Sequence, residues 1–323
     1  MVGEWRKCFV ATVMAAWTVC SITAYAEDGS LGGIVELGRS LYFDPRLSVD
    51  NTVSCSSCHS PDHAFTDNKT VSNGIRGQTG ARNAPTVINR LYGKSQFWDG
   101  RASSLEEQAK GPIINPVEMG MKDHATLVAK LKGIFGYNEW FKKVFSRELN
   151  IDDLVKSIAA FERTIVSDDS KYDSYLAGDE QALDASERHG FEVFKGKGRC
   201  LICHGGNNFT DESFHNLGVG MNKPNPDLGR YLQTKAERDK GAFKTPTLRD
   251  IGSTGPYMHD GSEKTLEDVV EFYDKGGVPN PNLDSSVRKL GLRKEEKQDL
   301  VAFMKSLSGV RWRRITAPAG FPK

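Results

Sequence analysis

Two short cysteine–histidine motifs, far apart in the chain, constrain this sequence more than any other feature. They are Cys55-Ser56-Ser57-Cys58-His59 and Cys200-Leu201-Ile202-Cys203-His204. A two-residue bridge lets both sulfurs reach one edge of a porphyrin and bond to its vinyl groups, while the next side chain turns under the iron as proximal ligand. One such motif is compatible with a redox dithiol or half of a zinc site. Two of them, with the only other cysteines at Cys8 and Cys20, point to two covalently bound haems c. A split zinc ribbon, which keeps its ligand pairs closer, and a pair of disulfides with coincidental histidines are the competing readings.

The N-terminus fits that chemistry. Residues 1–26 carry Arg6 and Lys7, an apolar run from Cys8 to Ile22, and Ala24-Tyr25-Ala26 before Glu27-Asp28. This is the pattern of a signal peptide with an A-x-A cleavage site, and the apolar run is short for a membrane span. Its removal takes Cys8 and Cys20 away and leaves four cysteines, all in the two motifs. A periplasmic address is expected, because haem c is attached outside the bacterial cytoplasm. The 43 basic and 42 acidic residues leave no basic footprint for nucleic acid and no acidic tail.

Apolar spacing predicts helices over 31–42, 105–110, 125–131, 138–145, 151–165, 186–194, 265–274 and 293–307, with 151–165 the clearest amphipathic stretch. Strand signals are few. Long Gly-, Asn- and Pro-rich segments follow both motifs, and a bound haem can supply the core such loops lack. The halves also repeat. Phe65-Thr66-Asp67 matches Phe209-Thr210-Asp211, Asn83-Ala84-Pro85-Thr86 resembles Lys244-Thr245-Pro246-Thr247, and Asp99-Gly100 precedes Leu105-Glu106 as Asp260-Gly261 precedes Leu266-Glu267. The expected fold is mainly α: two cytochrome-c-like domains, 27–175 and 176–323, each wrapping one haem with long loops. The polar stretch from Ser167 to Asp184 holds the junction.

These motifs and several others resemble the bacterial dihaem cytochrome c peroxidase superfamily over essentially the whole mature chain. Carrying the resemblance are Leu37 to Ser48, Arg82 to Thr86, Phe97 to Arg101, Asn115 to Met119, Lys244 to Arg249 and Pro256 to Gly261. The resemblance implies a peroxide-reacting haem in the N-terminal half and an electron-transfer haem in the C-terminal half. It implies that Glu118 is the distal acid/base with Gln108 beside it, and that Trp98 lies between the haems. Without the resemblance, Glu118 reads as a solvated loop carboxylate and Trp98 as a core aromatic. Asn83, Thr254 and Pro256 match the family's calcium ligands, and oxygen donors suit a hard cation; turn chemistry is the plain alternative.

Two departures matter. Where the peroxidases place a Met ligand on the second haem, this chain has Tyr273, as does the branch of the superfamily that modifies a partner protein. A phenolate favours ferric iron where a thioether favours ferrous. The alternative is a packed aromatic at Tyr273 with Met258 or Met304 as ligand. Second, the loop Ser72 to Gly77 lacks the His that caps the first haem in peroxidases needing reductive activation. His63 is nearby and reads as a surface or propionate-side histidine. The resemblance thus implies an enzyme that uses hydrogen peroxide, or dioxygen plus electrons, to oxidise tryptophans of a partner protein. Tryptophan tryptophylquinone biosynthesis in precursor methylamine dehydrogenase is the example. The alternatives are a cytochrome c peroxidase fed by a small periplasmic cytochrome or cupredoxin, and a non-catalytic dihaem electron carrier. No Trp occurs between Trp140 and Trp312, so Tyr231, Tyr257 or a haem edge would carry electrons to a docked partner. His124, His189 and His215 have no spacing that singles them out.

Overall fold

The computed structural model describes residues 29–323; the expected leader, 1–26, lies outside them. Among the described residues the fold is helical, with one short antiparallel ribbon of β1 (Phe214–His215) and β2 (Phe243–Lys244). No helix in this range is long and apolar enough to cross a membrane.

Two helix crossings organise the chain. In the first half, α1 (Gly29–Phe43) packs across α5 (Ile151–Glu162). Helix α5 starts at Asn150, whose side chain accepts from the Asp153 N–H, and Asp152 and Asp153 complement the positive end of the helix dipole. Its Leu154, Val155, Ile158 and Phe161 are buried. Gly38 lies at the crossing, where a Cβ would fall on the carbonyl oxygen of Ser157, so only glycine lets the backbones meet. The second half repeats the device. Helix α7 (Ala185–Lys195) crosses α10 (Lys294–Ser306), and a Cβ on Gly190 would fall on the carbonyl of Asp299. The matching contacts align Ser157 with Asp299 and Phe161 with Phe303.

The first unit adds α2 (Leu105–Ile114), α3 (His124–Lys132) and α4 (Phe135–Phe145). The later chain adds α6 (Lys171–Leu176), α8 (Tyr231–Thr234) and α9 (Leu266–Lys275). Helix α6 falls in the polar stretch expected to be a junction, and was missed because it is short and carries one inward aromatic, Tyr172. It is built locally by Ser170 and Asp173, which cap each other's backbone N–H groups. Helix α2 runs past residue 110 and through Pro112.

Each crossing roofs its own core. Tyr42, Phe65, Tyr137, Phe141 and Phe161 belong to the first; Tyr172, Phe194, Phe209 and Phe303 belong to the second, where rings meet edge to face. The cores divide the sequence between Ile165 and Tyr172, slightly before residue 175. The C-terminal segment then returns to the first core. Trp312 is buried there, edge-on to Phe65 at 6.1 Å, with its indole N–H donated to Asp250 at 2.8 Å.

Candidate functional site

The two motifs fold identically. Each forms a single 3-10 turn in which the second cysteine's N–H donates to the first cysteine's carbonyl at 3.2 Å. The histidine N–H donates to the same oxygen, at 3.0 Å for His59 and 2.8 Å for His204. None of the four motif thiols is in a disulfide. Burial pushes the Cys55, Cys58 and Cys200 thiols up, which disfavours a reactive dithiol or a thiolate metal site.

The histidines are oriented in one way. His59 Nδ1 lies 3.3 Å from the Phe65 carbonyl and His204 Nδ1 2.9 Å from that of Phe209. A carbonyl only accepts, so Nδ1 carries the proton and Nε2 is left as the ligand atom, the usual arrangement for a metal-bound imidazole. Burial pulls both below the ordinary histidine range and keeps them neutral. Both phenylalanines adopt left-handed backbone, with φ of 58° and 50°. Threonine hydroxyls brace the two loops alike: Thr86 donates to Ala64 and Thr247 to Asn208, each at 2.7 Å.

Both motifs open onto one continuous cavity of about 1190 Å³. That exceeds the roughly 300–1,000 Å³ of an ordinary ligand pocket and suits two macrocycles. The residues expected at the haem, distal and cation sites line it: Cys55, Cys58, His59, Asn83, Trp98, Gln108, Glu118, Cys200, Cys203, His204, Thr254, Pro256 and Tyr273; of the relay candidates, Tyr257 lines it and Tyr231 does not.

On the first unit's wall, α2 supplies Gln108 and Pro112, and the turn after it supplies Glu118. Asn115 donates its amide to Glu118 Oε1 at 2.7 Å. Burial raises the Glu118 carboxyl above its ordinary value, while Arg101 and Asn115 pull it back. The loop Ser72 to Gly77 is pinned beside it, for the Ile75 N–H donates to the Glu118 carbonyl at 2.9 Å and the Ile75 side chain is buried. His63 is exposed, with Nδ1 3.2 Å from the Asn68 amide, and does not line the cavity.

On the second unit's wall stands Tyr273, near the end of α9. Burial, and the nearby Cys200 and Cys203, push its phenol up. Met258 and Met304 line the same cavity. His215 does too, and the sequence reading missed it. Its ring is held between Asp211, 2.9 Å from Nε2, and Asp284, 2.6 Å from Nδ1. The Asp211–His215 spacing beside a repeated Phe-Thr-Asp was the available signal; Asp284 is too distant in sequence to supply one.

The units meet by a reciprocal exchange. The Asn83 N–H donates to the His259 carbonyl and the Lys244 N–H to the Trp98 carbonyl, both at 2.8 Å. Asn83 matches Lys244 in the repeat and Trp98 matches His259, so the contact has the form of a two-fold interface. The Trp98 indole donates to the Asn83 carbonyl at 2.9 Å. The Asn83 Nδ2 donates to the Lys69 carbonyl at 2.8 Å. Buried Arg90 pairs with Glu212 at 3.0 Å, and Lys244 shares that carboxylate at 3.6 Å. Arg199 keeps a buried, unpartnered Nε on the cavity wall. This surplus of inward cations suits the propionates of a haem.

Comparison with known proteins agrees. Residues 33–181 match the family described as di-haem cytochrome c peroxidase. The chain is 40% identical over 278 residues to the methylamine utilization protein MauG of Methylophilus methylotrophus, covering 84% of this chain and 82% of that protein. It is 43% identical over 279 residues to the cytochrome c551 peroxidase of Nitrosomonas europaea, covering 85% and 80%. The crystal structure of a MauG-like protein associated with microbial copper homeostasis superposes with a TM-score of 0.80 at 34% identity, covering 87% of this chain and 91% of the other. With paired motifs opening onto one cavity, and relatives matched along most of their length, the chain belongs to the dihaem cytochrome c peroxidase family, whose members are haem-dependent oxidoreductases.

Proposed function

We propose that this protein is a periplasmic dihaem oxidoreductase of the MauG type. It uses hydrogen peroxide, or dioxygen plus electrons, to oxidise tryptophans of a partner protein, with precursor methylamine dehydrogenase and its tryptophan tryptophylquinone as the first candidate. The observation that carries this reading is Tyr273, which faces the cavity beside Cys200 and Cys203 where a conventional peroxidase presents a thioether.

Two haems c would be held by Cys55, Cys58 and His59, and by Cys200, Cys203 and His204 with Tyr273 as second ligand. When bound, they supply one iron that receives peroxide and another that shares its oxidising equivalents. Glu118 takes a proton from the inner peroxide oxygen and returns it to the outer one, a transfer worth roughly 10²–10⁴-fold. Gln108 orients the peroxide from the same wall. Burial holds Tyr273 in its phenol form; a bound ferric haem would supply the positive charge that favours the phenolate, and a phenolate ligand would disfavour reduction. Trp98 couples the two sides through its contact with Asn83 and Lys244. Asn83, Thr254 and Pro256 would hold Ca2+ at the junction.

The 43% identity to a cytochrome c551 peroxidase favours a second reading, peroxide reduction with electrons from a small cytochrome or cupredoxin. A rapid-mixing optical spectrum of the fully oxidised holoprotein with stoichiometric peroxide separates the two. An immediate spectral change without reductant is expected, followed by oxidation of precursor methylamine dehydrogenase. No change until one haem is reduced would overturn the proposal in favour of the peroxidase.

A further inference from the structure

Glu162, the last residue of α5, is buried to 6% exposure on the cavity wall beside the first motif. Its Oε2 has no hydrogen-bond partner. The polar groups that face it are committed elsewhere. Arg163 is held in a fork by Glu106 at 2.7 and 3.0 Å, and Arg90 by Glu212 at 3.0 and 3.3 Å. The Tyr42 hydroxyl on α1 donates to the His59 carbonyl at 2.7 Å. Cys55, whose thiol Glu162 influences, is a haem-attachment position. A buried carboxyl left alone in this way is costly when ionised. Burial, with Glu106 adding to it, pushes it up to about 8, against the pull of Arg163 and Arg90.

Among the described residues the second unit places no unpartnered buried carboxyl on the cavity wall; its own such group, Asp250, does not line the cavity. The glycine crossings align Glu162 with Met304, which lines the cavity in the corresponding place. Arg90 aligns with Ile251 through the repeat that matches Asn83 to Lys244. One half therefore carries a lone protonatable group where the other carries a thioether.

We propose that Glu162 is a redox-linked proton site of the first haem, binding one solvent proton when that haem accepts one electron and releasing it on reoxidation. The inference rests on the two-haem reading above. In the balanced step, an electron from an electrode or one-electron donor converts ferric iron to ferrous, and one proton from solvent forms one O–H bond on the Glu162 carboxylate. The physical cause is the loss of one positive charge from a neighbour in a low-dielectric site, which weakens the hold on the carboxylate.

The test is a spectroelectrochemical titration of the holoprotein over a pH range centred on about 8. The first haem's potential should fall by about 59 mV for each tenfold drop in proton activity. In Glu162→Gln that dependence should vanish while the second haem's behaviour stays as it was. A flat wild-type profile, or a slope that survives in Glu162→Gln and so belongs to Glu118 or a propionate, overturns the proposal. Should Glu162→Gln fail to retain haem, Glu162→Met carries the residue type of the second unit and gives the same reading. A haem count below two per chain, measured first, refutes the two-haem reading itself; a flat profile with two haems refutes this inference alone.

Discussion

The two halves share a backbone and differ in what they point at the cavity. Both cross a pair of helices at a glycine, turn a CxxCH motif in the same 3-10 geometry, and fix the histidine Nδ1 on a phenylalanine carbonyl. Register from the repeat then sets Pro112 opposite Tyr273, while the crossings set Glu162 opposite Met304. Proline has no side-chain donor atom for a metal, so the first unit's far wall is left to Gln108 and Glu118. Tyrosine offers an oxygen, so the second unit's wall can close on a metal. The motif turns and helix crossings are duplicated, and the differences between the halves are single residues on a shared frame.

Removing one attachment breaks this comparison most severely. Cys200→Ser with Cys203→Ser should halve the covalently bound haem, read by mass spectrometry and haem absorbance, and leave the first unit loaded. Next in size is Glu118→Gln, which should slow the spectral response to peroxide by about 10²–10⁴-fold. In the unaltered protein that response should weaken as pH falls through a value above 4.5, because burial raises this carboxyl and only its ionised form accepts a proton. Tyr273→Met should raise the second haem's potential by on the order of 0.1 V, within the roughly 0.8 V that axial ligands span. It should also impose a need for prior reduction; unchanged potential and reactivity would mean that Tyr273 only packs. Smallest are Gly38→Ala and Gly190→Ala, each expected to cost about 1–3 kcal/mol by forcing the helices apart. Thermal denaturation would measure both, and a large difference between them would show that the two crossings are not equivalent supports.

Much of this was legible in the chain because covalent and periodic constraints are local. The motifs, the helical periods and three short repeats are each read within a few residues, and Asp99-Gly100 and Asp260-Gly261 do share left-handed glycines with φ of 65° and 63°. Helix α6 escaped because capping by Ser170 and Asp173, rather than an apolar stripe, defines it. The return of Trp312 to the first core escaped because its partner, Asp250, is far away in sequence. Sequence alone set Trp98 between the halves only by resemblance; that its carbonyl accepts from the Lys244 N–H is decided by the fold.

By itself, the sequence determined the two CxxCH motifs, most of the longer helices and how the halves correspond, since these follow from spacing along one strand of chain. The tertiary structure decided which residues of the two halves face one shared cavity. It alone left Glu162 without a partner, by committing Arg90 to Glu212 and Arg163 to Glu106. Whether a carboxyl is ionised depends on which charges surround it in space, and the chain order does not carry that information.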